Sequence, residues 1–404
     1  MLRVVAGVAA IAGTLLLSRR YEQIDLLRFA LCWWAVVLAL SGAVRLRHGA
    51  SPFSGVRDLV ACAATSVLFW DLFELLNLRL HDWWYVGVPR TRVGGAAFSA
   101  ICYATVLPAV RLAVALASPR IDAGVHVAPA APRAVRPLFV AFAASLALVI
   151  ALPRVAFPLA WLLLWFLFEA ELARRAGLSA RLGSPLQAWR AGDRAVLARL
   201  LAVALPVGLL WEALNYGCER GWVYTVPQFE SWKLFEMPLP GYLGYFPFLL
   251  ECGAALALLD RVAPRLDARR AAVMLVAIAG FHWQADGLGR RATTISVAPL
   301  MEDARTLTPD DVAWLRRTGL RTPLDVLRKG HAAPSRVHAI AELAQVAHMG
   351  VPWAERLMQA GIQERAELAS ANAAALSDAL RRQPGPTPTP AVVRLWVRAA
   401  RESR

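Results

Sequence analysis

Long apolar blocks constrain the fold of this chain more than any other feature of its sequence. Charged residues interrupt these blocks only at their edges, and 58% of all residues are hydrophobic. Most blocks reach the roughly 20 residues that a helix needs to cross a bilayer, whereas the first and the last are marginal. The pattern predicts an all-α, polytopic helical membrane bundle of seven to nine spans. The blocks are Leu2 to Leu17, Ile24 to Val44, Leu59 to Leu80, Val93 to Ala117, Pro137 to Leu152, Val155 to Ala173, Val196 to Gly217, Tyr242 to Val262 and Ala271 to Ala285.

The net charge of +15 belongs mostly to the apolar part of the chain, because residues 301–404 carry 15 basic and 11 acidic side chains. This balance argues against reading the total charge as a sign of nucleic-acid binding. The basic residues cluster in alternate loops, which the positive-inside rule places in the cytoplasm. We expect an integral protein of the bacterial cytoplasmic membrane. The basic loops are 45–57, 120–136, 174–199 and 261–270.

The lysines and cysteines exclude two further classes. Lys233 and Lys329 both lie outside the apolar blocks, which argues against a retinal protein with a Schiff-base lysine inside the membrane. The five cysteines are scattered without a close pair, so they predict neither a disulfide framework nor a thiolate metal site.

Two segments match each other at a constant offset of 138 residues. They are FELLNLRLHDWWYVGVP, from Phe73, and WEALNYGCERGWVYTVP, from Trp211, with six identities in seventeen positions. Each consists of a helix end, a loop and the start of a further span. Because two more spans lie between them, the period is four helices and the orientation is preserved. The sequence predicts a parallel internal repeat near 56–118 and 194–262, with both loops on one side of the membrane.

The composition changes after Arg291, where the apolar blocks give way to short amphipathic helical periods. We therefore divide the chain into a polytopic membrane domain, 1–290, and a small soluble all-α domain, 300–404. The side of the membrane that holds this second domain stays open. Nine spans with the basic loops in the cytoplasm place the second domain outside. Arg290 and Arg291 instead favour a chain that leaves the membrane on the cytoplasmic side, which requires that the last apolar block does not cross.

Two parts of the tail share a pattern of leucine, glycine and a new helix start: LRRTGLRTPLDVL and LMQAGIQERAELA. Their glycines, Gly319 and Gly361, suit the left-handed residue that ends a helix. With these motifs, residues 308–382 resemble the tandem helix-hairpin-helix domains of uncharacterised bacterial proteins. The resemblance implies a small helical domain that binds protein, binds nucleic acid or packs structurally.

Nucleic acid is the disfavoured partner of this tail. DNA-binding members of the family place the N–H groups of a Gly-x-Gly turn against phosphate. In MGVPWAERL, Pro352 stands near the second glycine position and offers no N–H. In the other copy, Asp310 and Asp311 stand where the phosphate would sit. We expect a protein partner or structural packing through 300–404.

Two of the predicted spans each carry one polar seam at helical spacing. The seams are Asp71, Glu74, Asn77 and His81 in the third span, and Glu212, Asn215 and Glu219 in the seventh. Carboxylates are costly in hydrocarbon unless they are paired, hydrated or protonated, so they mark a candidate functional site. If the repeat brings Glu74 and Glu212 face to face, one of the two carboxyls stays protonated and serves as a general acid. Asp71, Asn77 and Asn215 complete this predicted catalytic site.

A plainer interpretation of the two glutamates stays open at this point. Glu74 and Glu212 lie in the last turns of their spans. From there, their side chains are long enough to reach the outer interface and to cap the loops through hydrogen bonds. In that case the seams have no catalytic role.

The aromatic residues of the two loops form a second candidate set: Trp84, Tyr85, Trp222 and Tyr224. Tryptophan and tyrosine are typical of the aromatic belt at the bilayer surface. The alternative is that they wall a groove for a lipid or isoprenoid, where ring faces stabilise a developing carbocation.

The segment FEMPLPGYLGYFPFLLE follows the second loop and carries Glu236 and Glu251. Together with the Trp-x-Tyr pattern before it, this segment is faintly similar to the membrane-embedded lycopene cyclases, which use carboxylates in a Pro-Glu-rich motif. It lacks the adjacent pair of glutamates after the proline. The resemblance implies that Glu236 and Glu251 bind the substrate.

A metal site has weaker support. His282 and Asp286 share a helix face, and His81 and the glutamates would supply further ligands of the kind that zinc, iron or manganese accepts. No local spacing matches a metalloenzyme signature, and a histidine near the end of a span more often makes interfacial hydrogen bonds. We predict no metal, and the sequence leaves the cofactor unknown.

These observations leave three functions open. The first is an enzyme that acts on a hydrophobic, isoprenoid-like small molecule by carboxylate acid/base chemistry at the outer-leaflet side. The second is a membrane-anchored scaffold whose tail binds a protein or nucleic acid. The third is a proton- or cation-coupled transporter, which the apolar inner halves of the spans disfavour. In each case the lipid bilayer is the first partner.

Overall fold

The computed structural model describes residues 1–119, 132–174, 184–190, 192–218, 220–226, 232–263, 267–385 and 387–402. Six helices are long and apolar enough to cross a membrane. A seventh span results when the bent pair Pro153–Trp161 and Leu163–Arg174 counts as one. These helices identify an integral membrane protein, and their number reaches the lower end of the predicted range. Glu219 and parts of three basic loops, 120–131, 175–183 and 264–266, lie outside the described residues.

The chain divides into two compact units. The membrane unit contains Met1–Asp82, Thr91–Cys218 and Val226–Thr293, and the tail unit contains Trp83–Arg90, Glu219–Thr225 and Thr294–Arg404. The tail unit therefore includes both loops of the sequence repeat in addition to the C-terminal segment.

The membrane unit is built from helices α1 to α13. They are α1 Leu2–Ser18, α2 Glu22–Asp25, α3 Arg28–His48, α4 Val56–Leu80, α5 Arg92–Tyr103, α6 Val106–Ala117, α7 Pro132–Ala151, α8 Pro153–Ala156, α9 Leu163–Arg174, α10 Pro185–Arg190, α11 Ala195–Asn215, α12 Tyr245–Val262 and α13 Ala268–Ala292. Short 3₁₀ turns at Phe157–Trp161 and Leu239–Gly244 precede α9 and α12, and each contains a proline near its start. Two short strands, Lys233–Leu234 and Met237–Pro238, form a hairpin before α12.

Helix α13 corrects the expectation of a marginal last span. The apolar block ends at Ala285, but the helix continues for seven residues to Ala292 and is long enough to cross. It continues because Asp286 is neutralised within the unit, by an ion pair with Arg92 and a hydrogen bond from Ser99. Charge alone is therefore a poor marker of where this helix ends.

Four helices position the candidate site. Helices α6 and α12 each pack against both α4 and α11, the two helices that carry the polar seams. Helix α13 packs along α4 and also contacts α5. The seam of α4 consequently faces protein, because Asp71, Glu74 and Asn77 are all buried.

The tail unit contains two strands that the sequence did not predict. Strand β1, Trp83–Val86, pairs antiparallel with β2, Gly221–Tyr224. Trp83 pairs with Tyr224 and Val86 with Gly221. Trp83 and Gly221 differ by 138 positions, as do Val86 and Tyr224, so exchanging the two strands by this offset turns the first pair into the second. The other edge of β1 is bonded to the start of the tail, where Ile295 N–H donates to the Tyr85 carbonyl at 2.8 Å.

Seven helices complete the tail unit. They are α14 Pro309–Thr318, α15 Pro323–Lys329, α16 Ser335–Gln345, α17 Val351–Gln359, α18 Arg365–Ser370, α19 Ala373–Arg381 and α20 Pro390–Arg401. Gly319 and Gly361 have φ of +68° and +91°, which confirms that both are left-handed as predicted. Thr308 and Asp311 form a capping box at the start of α14: the Thr308 hydroxyl accepts the Asp311 N–H, and the Asp311 carboxylate accepts the Thr308 N–H.

Aromatic residues from both loops help to form the core of the tail unit. Trp84, Val86 and Val223 are buried with Met301 and Ile340 in one hydrophobic cluster. The Trp84 indole donates to Thr225 Oγ1 at 3.1 Å, so its polar atom is satisfied as well. Trp84 therefore has a packing role within this unit.

Candidate functional site

An aromatic cluster occupies the membrane unit at the level of the two glutamates. Its rings come from α4, α11 and α12: Trp70, Phe73, Trp211, Tyr245 and Phe248. Centroid distances of 5.8 Å between Trp70 and Trp211 and 5.7 Å between Phe73 and Phe248 are typical of favourable ring contacts. Tyr245 lies 6.3 Å from Phe248, so the rings form one continuous group.

Glu74 is held by this cluster and is only 3% exposed. The Trp70 indole, one helical turn earlier on α4, donates to Glu74 Oε1 at 2.8 Å. The second carboxyl oxygen faces α13, where a Cβ added at Gly289 would lie 3.9 Å from Glu74 Oε2. The side chain is therefore inside the protein, and the interpretation that it reaches the bilayer surface is wrong.

Glu212 is held in a corresponding way on α11 and is completely buried. The Tyr245 hydroxyl of α12 donates to Glu212 Oε1 at 2.7 Å. Gly208 makes room for this contact, since a Cβ at that position would lie 2.5 Å from Tyr245 Cδ2. Both glutamates thus accept a hydrogen bond from an aromatic residue of the same cluster.

Asp71 lies one turn before Glu74 and pairs with a histidine of α13. His282 Nδ1 lies 2.9 Å and 3.1 Å from the two Asp71 carboxyl oxygens, and both side chains are buried. The other ring nitrogen, Nε2, lies 2.9 Å from the Ala96 carbonyl oxygen. Since both ring nitrogens face acceptors, the geometry favours an imidazolium that is paired with the Asp71 carboxylate.

Ser99 extends this network without completing a nucleophilic triad. Its Oγ lies 3.2 Å from His282 Nε2, so the contacts follow the order Ser99, His282, Asp71 of a Ser–His–Asp site. However, the hydroxyl donates to Asp286 Oδ1 at 2.8 Å, and Nε2 is closer to the Ala96 carbonyl than to Ser99. Asp286 is in turn ion-paired with Arg92, whose guanidinium stacks on Trp283. The network therefore holds two pairs of opposite charge, Asp71 with His282 and Asp286 with Arg92. It does not activate the Ser99 hydroxyl as a nucleophile.

The two predicted asparagines lie at the ends of α4 and α11 and are both buried. Asn77 Oδ1 accepts the Asp82 N–H at 3.0 Å, which closes the turn after α4. Asn215 occupies the matching position in α11, and its carbonyl accepts the Cys218 N–H at 3.1 Å. These contacts give Asn77 a structural role and leave the role of Asn215 as a prediction.

His81 and Asp82 follow directly after α4. His81 has φ of +56° and ends the helix, and burial together with repulsion from Arg79 lowers its pKa. Asp82 is 4% exposed, and burial raises its pKa to about 7. The sequence interpretation missed Asp82. A signal was present, because this acid directly follows the polar seam, but position alone did not reveal its burial.

The two glutamates near α12 have different surroundings. Glu236 lies in the hairpin between Lys233–Leu234 and Met237–Pro238 and is 8% exposed. Glu251 is completely buried, and its Oε1 accepts the N–H groups of Leu164 and Trp165 at 2.9 Å and 3.4 Å. Glu251 thereby caps the start of α9, at the break in the bent pair of helices. This capping role competes with the predicted role in substrate binding.

The aromatic loop residues belong to the tail unit, whereas the acids belong to the membrane unit. On β1 and β2, Tyr85 pairs with Trp222, and the Trp222 indole donates to the Tyr224 hydroxyl at 2.9 Å. Trp84 lies in the core of the tail unit. Substrate binding by these four residues stays a prediction that rests on the sequence.

A buried ionic cluster at the Val56 end of α4 was not predicted. Arg111 of α6 is 5% exposed and forms ion pairs with Asp58 of α4 and Asp260 of α12. Asp58 directly precedes the apolar block that begins at Leu59, and Asp260 lies near the end of the block Tyr242 to Val262. Only the packing of three helices brings them to one arginine.

Metal ligation has no support in the described part of the chain. No group of three or more His, Cys, Asp and Glu side chains there is arranged to hold an ion. His282 is joined to Asp71, Asp286 to Arg92 and Ser99, and His81 lies at the helix end after α4. His282 and Asp286 are therefore engaged by other side chains of the membrane unit, with Ser99 in contact with both.

Comparison with known proteins gives no family for this chain. No family model matches it, and neither a curated protein nor a solved structure is significantly similar to it. Functional conclusions therefore rest on the geometry described above.

Proposed function

We propose that this protein is a membrane enzyme that isomerises or cyclises a lipid-soluble, isoprenoid-like substrate by proton transfer. One observation carries the proposal. Glu74 and Glu212 are buried, and each accepts a hydrogen bond from an aromatic residue of the same ring cluster. A carboxyl group beside aromatic faces suits chemistry that passes through a carbocation.

The proposed reaction needs no redox partner. A protonated carboxyl adds its proton to a carbon–carbon double bond of the substrate, which leaves a carbocation beside the rings of Trp70, Trp211 and Phe248. The other carboxylate then removes a proton from an adjacent carbon, and a new double bond forms. One proton enters and one leaves, so the product is an isomer of the substrate. The proposed reaction requires that the first carboxyl is protonated when the substrate binds.

We propose that an internal repeat builds the shared site. The ladder between β1 and β2 is unchanged when the 138-residue offset exchanges its strands, which is what a two-fold relation between the repeats requires. We propose that the two halves are related by an axis along the membrane normal, as in parallel repeats. Glu74 and Glu212 are then equivalent residues, which accounts for their similar aromatic partners.

The same ladder bears on topology. Both loops and the C-terminal segment belong to one compact unit, and α13 is long enough to cross the bilayer. We propose that the tail lies in the aqueous phase on the side of the two loops, outside the cytoplasm of a bacterial cell. This replaces the cytoplasmic exit, which required α13 not to cross. In this topology the substrate reaches the glutamates from the outer leaflet.

Lipid extraction and mass spectrometry test the enzyme. Cells that express the wild-type protein are compared with cells that express Glu74→Gln plus Glu212→Gln. We expect at least one apolar lipid to differ in abundance between the two kinds of cells. Because the reaction is an isomerisation, the substrate that accumulates and the product that is lost have the same mass. The matched control is Glu171→Gln, which removes a carboxyl that pairs with the exposed Arg174. Identical lipid and pigment profiles from the wild type and the double variant, at equal expression, overturn the proposal.

A second candidate function is proton-coupled transport. It is favoured by two ionic pairs along α4, namely Asp58 with the buried Arg111 and the buried Asp71 with His282. Proteoliposomes that contain a pH-sensitive dye distinguish the two functions. Proton movement that Asp71→Asn abolishes and Glu212→Gln leaves intact supports transport.

We also propose that the tail unit binds protein in preference to nucleic acid. The N-terminal N–H groups of α14 and α15 are already capped by Thr308 with Asp311 and by Thr322 with Asp325. A phosphate group would have to displace these carboxylates. Titration of the purified chain with short DNA and RNA duplexes at low salt tests this, and tight binding contradicts it.

A further inference from the structure

A cavity of about 820 Å³ lies in the membrane unit at the Val56 end of α4. It is bounded by the first turns of α4 and α13 and by the end of α12. Its volume is within the range of about 300–1,000 Å³ that is usual for ligand sites. The cavity exists because α4 presents only small side chains to it beyond its second turn, at Ala61, Ala64 and Thr65.

The walls change from polar to apolar along the helix axes. Ser54, Arg57, Asp58 and Asp260 line the end nearest the loops. Ala64 of α4 and Leu275 and Ile278 of α13 line the other end. Thr65 lies seven positions after Asp58, roughly 10 Å along α4. A ligand that fits both ends has a polar head and an apolar chain that runs parallel to the membrane normal.

The acids of the polar end are fixed in place. Asp58 accepts hydrogen bonds from the Ser54 backbone N–H at 3.0 Å and from its hydroxyl at 3.2 Å. Arg111 approaches both Asp58 and Asp260 and is itself 5% exposed. The cavity therefore presents two anchored carboxylates, with the basic side chain of Arg57 beside them.

We propose that this cavity binds a phospholipid whose headgroup carries a primary ammonium. The ammonium has three N–H donors, which suit the carboxylates of Asp58 and Asp260, and the guanidinium of Arg57 suits the phosphate. One acyl chain then lies against Ala64 and Leu275. A headgroup with only negative charge would be repelled by the two carboxylates. A quaternary ammonium has no N–H to donate to them.

The proposed lipid site is independent of the proposed acid site. Glu74 lies 16 residues after Asp58 on the same helix, roughly 24 Å along its axis. Substitutions in the cavity therefore leave the aromatic cluster intact. Failure of lipid binding does not affect the lipid-profile test of the two glutamates, and the reverse also holds.

Native mass spectrometry of the purified full chain tests the proposal. Detergent-solubilised protein is titrated with phosphatidylethanolamine, phosphatidylcholine and phosphatidylglycerol that carry identical acyl chains. We expect one phosphatidylethanolamine to bind about tenfold more tightly than either other lipid, the effect of one charge-assisted hydrogen bond. Equal binding of all three lipids shows an annular lipid only and overturns the proposal. A preference for phosphatidylglycerol or phosphatidylcholine also overturns it.

Two substitutions locate the binding. Ala64→Leu fills the apolar end and is expected to abolish the preference for phosphatidylethanolamine. Its matched control is Ala272→Leu on α13, an exposed position that does not line the cavity. Asp260→Asn tests the polar end, and if the loss of this partner of Arg111 prevents folding, Ala64→Leu still decides the question. An unchanged preference in Ala64→Leu places the lipid elsewhere and overturns the proposal.

Discussion

The acids at the two ends of α4 are held in different ways. At the Val56 end, Asp58 and its neighbour Asp260 share the buried cation Arg111. At the Leu80 end, Glu74 accepts a hydrogen bond from a neutral indole, and Glu212 on α11 accepts one from a neutral phenol. A cation fixes its acids in the charged state, whereas a neutral donor leaves the carboxyl able to take up a proton. The first arrangement suits structure, and the second suits proton chemistry.

Removal of the buried cation is expected to have the largest effect on stability. Arg111→Met removes the buried cation that Asp58 and Asp260 share, and because Asp260 is only 7% exposed, we expect a cost of about 3–5 kcal/mol. Thermal unfolding in detergent micelles measures the loss. Arg174→Met is the control, because its ion pair with Glu171 is exposed and contributes less than about 1 kcal/mol. If the two variants unfold at the same temperature, Arg111 does not stabilise the fold.

Asp82 is expected to have the next largest effect on the free energy of unfolding. This effect depends on pH, because burial raises the pKa of the Asp82 carboxyl. Its pKa is about 7 in the folded protein, against an ordinary value of 3.8. Below pH 4 both states are protonated. As the pH rises to 7, only the unfolded state ionises, so the folded state loses up to about 4 kcal/mol of stability at about 1.4 kcal/mol per pKa unit.

The test of Asp82 is a pH series of unfolding midpoints. Asp82→Asn removes this dependence, so its advantage over the wild type grows between pH 4 and pH 7 and is constant above that range. An advantage that is the same at pH 4 and pH 8 contradicts the raised pKa.

Gly208 tests how closely Glu212 depends on Tyr245. Gly208→Ala places a Cβ where it would lie 2.5 Å from the Tyr245 ring, and overpacking of this kind costs about 1–3 kcal/mol. Gly280→Ala on α13 is the matched control, because no atom lies within 4 Å of its added Cβ. Thermal unfolding compares them. Equal stability of the two variants would mean that Tyr245 shifts at no cost.

A double-mutant cycle gives the smallest effect. Tyr245→Phe and Glu212→Gln are measured singly and together, and the coupling energy reports their hydrogen bond. We expect about 1 kcal/mol, the contribution of a hydrogen bond between neutral groups. A coupling above about 2 kcal/mol indicates that Glu212 is ionised, which would make it resemble the acids at the Val56 end.

The sequence predicted the parts of the fold that depend on local patterns. Apolar blocks of sufficient length indicated the membrane helices, and the glycine positions in the tail indicated the left-handed caps at Gly319 and Gly361. The seam spacing singled out Asp71, Glu74 and Glu212, and all three are buried. Each of these features depends on residues within a few turns of one another.

Features that depend on distant residues were missed. Nothing near Arg111 in the sequence indicates that Asp58 and Asp260 will surround it. Strands β1 and β2 are only four residues long and gain their stability from each other, so neither is recognisable alone. The end of α13 was misplaced for the same reason, because Asp286 is neutralised by Arg92 from another helix.

The pairing of β1 with β2 also sets an order of events during synthesis. Trp84, Val86 and Val223 leave the ribosome well before Met301 and Ile340, the tail residues that bury them in one core. Until translation reaches those residues, the two loops that carry β1 and β2 lack the partners that bury their bulky apolar side chains. A chain that ends before Met301 lacks the residues that bury these side chains, and we expect it to be cleaved faster in limited proteolysis than the 404-residue chain.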